Sequence, residues 1–248
     1  MASASHANKP PMLSPETLGG EIVRIYVGPK RKAFTIHKKP LCDRSEYFNA
    51  AFNSGFQEGS ANEMHLPEDT PVDFTNLVNY IYQDRLPSFP AEEYTPDFKG
   101  SQGFTRDHLY PLFLFAEKLC INDLANRVMD DIQDIHLKYN RVLSNARILT
   151  IYRTTHENSK FRLYSMLNLV RNSVTAHDNG SWCEKRIPLF TEITDIAVDF
   201  ATAACRYAAK FAADQHLDPR IRDDKTIFGK CFFHTHTDKE VCHLKIHE

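Results

Sequence analysis

Five side chains of the two residue types that most often bind zinc, cysteine and histidine, fall within one stretch of 13 residues. They are Cys231, His234, His236, Cys242 and His243. Two thiolates and two imidazoles complete a closed tetrahedral zinc site. The spacing differs from that of the common zinc fingers, and three histidines compete for two places. We therefore predict a structural zinc site at Cys231, His234, His236 and Cys242, with His243 as an alternative ligand and no other cofactor.

Two other interpretations of this stretch are open. Phe233, Thr235 and Thr237 alternate with the first two histidines, and this alternation also fits a small exposed strand. Two histidines separated by one residue also occur in metal-dependent hydrolases, which need a nearby carboxylate and an open pocket as well. The nearest acids, Asp238 and Glu240, belong to a polar run that is typical of a solvated surface. We therefore expect no catalytic residues and no enzyme.

Length and composition indicate an ordinary globular protein and exclude several kinds of partner. The chain has 248 residues, 42% apolar and 25% charged, which is enough for one large or two small domains. Its net charge of −2 favours neither nucleic acid nor an anionic membrane as a partner. No apolar run reaches the roughly 18 residues that a membrane span needs. The first residues lack an apolar secretory core, so we expect a cytoplasmic or nuclear protein whose six cysteines are thiols or metal ligands.

The residues that precede the cysteine- and histidine-rich stretch have the periodicities of a small sheet with helices. Residues 22–27 and 33–37 alternate apolar and polar side chains, which predicts a β-hairpin, and residues 64–66 predict a third strand. Side chains spaced three or four residues apart form two helical stripes, Leu41, Ser45, Phe48 and Phe52, then Phe74, Leu77, Val78, Ile81 and Tyr82. Thr70 and Pro71 are the start signal of the second helix.

The order strand, strand, helix, strand, helix, with apolar residues at these intervals, resembles the BTB/POZ domain in the version common in fungal proteins. The matching motifs are V-G at 27–28, F-T-I-H-K at 34–38, L-C-D-R-S-E-Y-F at 41–48, G-F-Q-E at 55–58 and L-P-E-D at 66–69. The resemblance implies an α+β fold in which a small sheet packs with a cluster of helices. It also implies a protein-interaction module and not an enzyme.

Composition and apolar stripes suggest how the rest of the chain is divided. We predict a disordered tail at 1–19, the BTB/POZ domain at 20–137, an all-α extension at 138–213 and a Cys/His-containing tail at 214–248. Prolines and glycines predict a long loop at 87–104, with a regular helix starting near Pro111. His136, at the end of the domain's last helix, is expected to interact favourably with the helix dipole. Arg162 and Arg171, on a helix of the extension, are expected to face solvent.

Phe56 and Glu58 are the candidate partner-binding residues. In members of the family that bind cullin scaffolds, an apolar residue, any residue and a glutamate follow the equivalent helix and reach into the cullin groove, and Phe56-Gln57-Glu58 matches that pattern. The resemblance thus implies a substrate adaptor for a cullin-type ubiquitin ligase, and a transcription-linked POZ scaffold is the alternative. Phe56 could equally fold back onto the domain with Glu58 solvated. A homodimer is also open, although no strand-like run before Glu21 supplies the strand that many metazoan relatives exchange.

Overall fold

A computed structural model of the protein describes residues 13–88, 98–175, 181–237 and 242–244. Contacts divide the described part of the chain into two compact units. The first unit contains residues 13–88 and 103–124, and the second contains residues 98–102 and the described residues from 125 onward. The first unit combines strands with helices, and the second is helical, so the predicted α+β class with a helical extension is confirmed.

The sheet of the first unit has three strands in the order β2-β1-β3. They are β1 Ile22–Val27, β2 Lys32–His37 and β3 Glu63–Leu66. The pair β1 and β2 is antiparallel, as the predicted hairpin requires, whereas β1 and β3 are parallel. A parallel pair needs a long crossover, and the helices between β2 and β3 provide it. Val23, Ile25 and Val27 are buried, so one face of β1 points into the core of this unit.

Helices precede, connect and follow these strands along the chain. They are α1 Pro15–Leu18, α2 Lys38–Arg44, α3 Glu46–Asn53, α4 Gln57–Ala61, α5 Pro71–Gln83 and α7 Tyr110–Lys118. Helix α5 begins as predicted, because the Thr70 hydroxyl accepts a hydrogen bond from the Asp73 backbone N–H and Pro71 occupies the first turn. The predicted disorder of residues 1–19 is wrong for α1, where Ser14 caps a helical turn, and residues 1–12 lie outside the described residues.

Ser45 divides the first predicted helical stripe into two helices. Its Oγ accepts a hydrogen bond from the Phe48 backbone N–H at 3.2 Å and donates one to the carbonyl oxygen of Leu119 at 2.6 Å. A serine that caps a helix has an extended backbone, and Ser45 has φ −138° and ψ 115°. The stripe itself is buried, but Leu41 belongs to α2 whereas Phe48 and Phe52 belong to α3.

The predicted loop at 87–104 is wrong at its C-terminal end. Residues 98–104 form α6 Phe98–Phe104, which continues through a π-helical segment, Thr105–Leu109, into α7. Residues 89–97 lie outside the described residues. The regular helix starts at Tyr110, next to Pro111, as predicted. The Tyr110 N–H bonds to the carbonyl oxygen of Thr105, five residues back, which is the hydrogen-bond pattern of a π-helix. Pro111, which has no N–H to donate, follows in the first turn of α7.

The second unit is built from long helices. They are α8 Asn122–Lys138, α9 Asn145–Thr154, α10 Lys160–Thr175, α11 Ser181–Glu192 and α12 Thr194–Ala213. Helix α10 packs along α12 and also contacts α9. Phe161, Leu167 and Val170 of α10 are buried, and Leu163 is half-buried. Helix α11 was not predicted, and it contains Pro188. None of the described helices has both the length and the apolar character needed to cross a membrane. The domain boundaries predicted at 137 and 213 stay predictions.

The predicted exposure of Arg162 and Arg171 is wrong. The Arg162 guanidinium lies over the Tyr152 ring at 4.5 Å and donates to the Tyr152 carbonyl oxygen at 2.7 Å, at the end of α9. Helix C-termini leave carbonyl groups without intrahelical partners, and a buried arginine satisfies them here. Arg171 donates to the carbonyl oxygen of Leu217 at 3.0 Å. Both arginines therefore join segments of the second unit.

Candidate functional site

The second unit brings together the four residues that we predicted as zinc ligands. One ligand atom from each of Cys231, His234, His236 and Cys242 lies within 4.8 Å of the others, and we refer to these four residues as the Cys/His cluster. Cys242 Sγ is 3.5 Å from Cys231 Sγ and 3.5 Å from His234 Nδ1. In a tetrahedral zinc site these edges measure about 3.8 Å between sulfurs and about 3.6 Å between sulfur and nitrogen. These two edges of the cluster are therefore close to those of a zinc tetrahedron.

The described residues of the segment that carries the cluster have no regular secondary structure. Within the described part of residues 214–244 the chain forms turns, bends and irregular stretches. Phe233 and His234 are neighbours and both are buried, which an exposed alternating strand would not allow. The strand interpretation of this segment is therefore wrong. Asp238 and Glu240, the acids considered for a hydrolase, lie outside the described residues.

A carboxylate that sequence reasoning missed contacts the cluster. Asp130, on α8, bonds through Oδ1 to His234 Nε2 at 2.9 Å and through Oδ2 to His243 Nε2 at 2.9 Å. The Arg222 guanidinium lies 3.1 Å from the same Oδ2. Burial would raise the pKa of Asp130, but hydrogen bonds from His234 and His243 and the charge of Arg222 hold it below its usual value. Asp130 is therefore an ionised carboxylate with three polar neighbours.

The structure distinguishes His243 from the other histidines. Its Nε2 bonds to Asp130 at 2.9 Å, and His243 is not one of the four residues of the Cys/His cluster. Asp130, His234 and His243 form a second group whose ligand atoms lie within 4.8 Å of one another. His234 belongs to both groups, because Nδ1 faces Cys242 while Nε2 faces Asp130.

One stripe of α8 holds the tail in place through polar contacts. Asn126 makes two hydrogen bonds to the Thr235 backbone, accepting from its N–H at 2.8 Å and donating to its carbonyl at 2.9 Å. Gln133 donates to the carbonyl oxygen of Pro219 at 2.9 Å. Together with Asp130 these residues recur at intervals of four and three, so they share one helical face, and all three are buried. This polar face of α8 orients the segment between His234 and His236.

His136 has a structural role that differs from the one we predicted. It is buried, and its Nδ1 lies 2.9 Å from the Tyr164 hydroxyl oxygen. Burial and the charges of Arg141 and Arg220 lower the pKa of His136 to about 3. The side chain is therefore neutral at physiological pH and cannot act as a cation at the helix C-terminus, so the helix-dipole interpretation is wrong.

Acidification is expected to destabilise the wild-type protein more than a His136→Asn variant. An unfolded chain binds the proton at about pH 6.5, whereas folded His136 binds it only near pH 3. His136 therefore does not change the free energy of unfolding above about pH 6.5, the pKa of histidine in the unfolded chain. Below that pH the free energy of unfolding falls, by about 2 kcal/mol at pH 5. Urea unfolding at about pH 7.5 and about pH 5 measures this difference. Equal losses in the two proteins would contradict a buried, neutral His136.

Phe56 lies on the surface of the first unit. Its side chain is 58% exposed, so the alternative in which it folds back onto the domain is wrong. Phe56 is the residue before α4, and its carbonyl oxygen accepts the backbone N–H groups of Gly59 and Ser60 at 3.1 and 3.3 Å. Glu58 is in the first turn of α4 and is half-buried.

Two glycines shape the turn that carries this exposed phenylalanine. Gly55 has φ +78°, a conformation that glycine adopts without strain. A Cβ on Gly59 would lie 2.7 Å from the carbonyl oxygen of Phe52, so α4 packs against the end of α3 more closely than a larger residue would permit. The exposed ring is therefore presented by a short, tightly packed turn and not by a loose loop.

Comparison with known protein families agrees with this architecture. The family model of the BTB/POZ domain matches residues 23–136. These residues include β2, β3 and all of β1 except Ile22, contain Phe56 and Glu58, and end within α8. The Cys/His cluster lies beyond the matched residues, although Asp130 lies within them. No curated protein matches the chain.

Proposed function

This chain contains a BTB/POZ domain, a module that binds other proteins, at residues 23–136, and we propose that the chain acts as a substrate adaptor for a cullin-type ubiquitin ligase. The observation that carries the proposal is the exposed Phe56, followed at the second position by Glu58, directly after α3. This is the pattern by which family members of the adaptor class reach into a cullin groove.

Phe56 has the properties of an interface anchor. Aromatic side chains supply much of the binding energy of interfaces when they fill a pocket on the partner. At 58% exposure the ring leaves much of its apolar surface in water in the unbound protein, and burying that surface in a groove is favourable. Because α4 packs closely against the end of α3 at Gly59, we expect little ordering of the turn on binding. The site is therefore suited to docking without rearrangement.

The charge of Glu58 is also consistent with a binding surface at this position. It lies in the first turn of α4, where a carboxylate at the edge of a groove can pair with a basic side chain of a partner. Such rim charges contribute chiefly to specificity and association rate, and the central apolar contact contributes more of the affinity. We therefore expect Phe56→Ala to weaken binding more than Glu58→Ala does.

Binding of the full chain to a purified cullin N-terminal domain tests the proposal. We expect the wild type to bind, and the double variant Phe56→Ala, Glu58→Ala to bind at least about 30-fold more weakly, as for the loss of an interface hot spot of about 2 kcal/mol. The melting temperature should stay close to that of the wild type, because an exposed ring contributes little to folding. Isothermal titration calorimetry gives the affinities and a thermal scan gives the stability.

Matched variants separate docking from general surface effects. Val198 on α12 is 57% exposed, so Val198→Ala removes an equally exposed apolar side chain and should leave cullin affinity unchanged. Gly59→Ala should weaken binding without altering either contact residue, because its new Cβ forces α4 away from the Phe52 carbonyl. If the wild type fails to bind the cullin, or the double variant binds as tightly as the wild type, the adaptor function is refuted. The transcription-linked scaffold would then be the function to test.

A further inference from the structure

We propose that the Cys/His cluster binds one structural zinc ion through Cys231, His234, His236 and Cys242, and that Asp130 orients His234 from outside the coordination sphere. The proposal is independent of cullin binding, since all five residues lie in the second unit and Phe56 lies in the first. It also selects one ligand set from the three histidines that the sequence offered.

The ligand atoms have the arrangement that zinc requires. Two sulfur atoms and one imidazole nitrogen stand 3.5 Å apart along two edges, and the fourth ligand lies within 4.8 Å of the others. A disulfide would bring the sulfur atoms to about 2.05 Å, whereas a shared zinc ion holds two thiolates at about 3.8 Å. The observed separation of the Cys231 and Cys242 sulfurs is close to the second value.

Asp130 supplies the outer contact that zinc-binding histidines usually have. A histidine that binds zinc through one ring nitrogen commonly donates its other N–H to a carboxylate, which fixes the tautomer and the ring orientation. His234 directs Nδ1 at Cys242 and Nε2 at Asp130, so it has both halves of this arrangement. The Arg222 guanidinium lies 3.1 Å from the same carboxylate and helps to fix its position.

His243 is not one of the four residues of the Cys/His cluster, whose ligand atoms lie within 4.8 Å of one another. Zinc in a structural site takes four ligands, and the cluster already provides four without His243. The Nε2 of His243 is bonded to the Asp130 oxygen that also faces Arg222. His243 thus helps to hold the orienting carboxylate, while His236 completes the coordination.

The surroundings explain what the ion would do. The described segment that follows α12 has no helix or strand to hold it, and it is fixed by side-chain contacts such as the two from Asn126 to Thr235. Zinc would join Cys231, His234 and His236 to Cys242 and so close this segment on itself next to α8. Metal sites with four protein ligands and no open position serve structure.

Metal content of the full-length protein is the first test. Protein expressed in zinc-supplemented medium and purified with reductant and without chelator should carry about one zinc per chain by native mass spectrometry. Cys231→Ser and Cys242→Ser should each lose the ion. Cys205→Ser is the matched control, because it removes an exposed cysteine of α12, and it should keep the full zinc content.

Cobalt replacement identifies the ligands in protein that is folded. The wild type, stripped of metal and titrated with Co²⁺, should show the visible absorption of a tetrahedral site together with thiolate-to-metal charge transfer. His236→Asn should lose the tetrahedral spectrum, whereas His243→Asn should retain it. Asp130→Asn should keep the stoichiometry but bind the metal about 10–100-fold more weakly, the usual effect of removing an outer carboxylate.

Three results would overturn the proposal. The first is wild-type protein that contains no zinc and gives no tetrahedral cobalt spectrum. The second is a disulfide between Cys231 and Cys242 in the metal-free protein under reducing conditions. The third is loss of metal in His243→Asn with full retention in His236→Asn, which would refute the ligand set. The double variant Phe56→Ala, Glu58→Ala should retain its zinc, so failure of either proposal leaves the other intact.

Discussion

Replacement of Phe48 by alanine should lower the free energy of unfolding of the first unit by about 3–5 kcal/mol. The Phe48 side chain is 0% exposed and stacks near Phe52, with ring centroids 6.2 Å apart. Its backbone N–H is bonded to the Ser45 hydroxyl at the junction of α2 and α3. The loss of stability has two contributions, the lost free energy of transferring the ring from water to the core and the cavity that remains.

The neighbouring residue provides the control for this measurement. Tyr47 lies on the same helix and its ring contacts Phe48 edge to face, but it is 37% exposed. Tyr47→Ala should therefore cost much less than Phe48→Ala in urea or guanidinium unfolding. Similar losses for the two variants would show that the predicted core of this unit does not depend on the Phe48 ring.

Asp218→Asn is expected to be the most damaging single change in the second unit, at about 3–5 kcal/mol. Asp218 and Arg220 are both buried, and the Arg220 Nε and Nη2 groups donate to the carboxylate at 2.9 and 2.7 Å. Burial would raise the pKa of Asp218, but the hydrogen bonds and charge of Arg220, with Arg171 nearby, lower it. Removing the carboxylate charge leaves a buried guanidinium without its counter-ion.

Two further variants test whether the loss of stability in Asp218→Asn is caused by the unpaired charge. Asp195 is 70% exposed and lies 3.8 Å from the Arg162 guanidinium, so Asp195→Asn should cost less than about 1 kcal/mol. The double variant Asp218→Leu, Arg220→Met should recover much of the loss, because it buries no charge. A cost below about 1 kcal/mol for Asp218→Asn, measured by chemical unfolding, would contradict a buried ion pair.

The parts of the fold that follow from local signals could be predicted. The alternation in residues 22–27 and the start signal at Thr70 and Pro71 each involve residues that are close in sequence, so periodicity and capping rules were sufficient. Ser45 shows the limit of periodicity. Its position on an apolar stripe suggested the middle of a helix, whereas its hydroxyl caps the next helix and bonds to Leu119, which is 74 positions away.

Part of the candidate site could likewise be predicted from the sequence, and part could not. The Cys/His cluster could be predicted because its residues fall within one short stretch. Asp130 could not, since it lies 104 positions before His234. On α8 the residues Asn126, Asp130 and Gln133 form a polar stripe, and in a sequence such a stripe is indistinguishable from a solvated face. Arg162 was missed for the same reason, because a charged side chain was taken to face water.

The polar face of α8 also affects how the chain behaves while it is being synthesised. Asp130 and His243 are 113 positions apart. At a synthesis rate of about 5–20 residues per second, the segment that contains His243 leaves the ribosome on the order of ten seconds after α8 does. Bringing such distant residues together costs about 4 kcal/mol in chain entropy. An apolar face left uncovered for that time would attract other nascent chains. A face of amide and carboxylate groups stays hydrated instead, and this protects the helix from aggregation until the tail arrives.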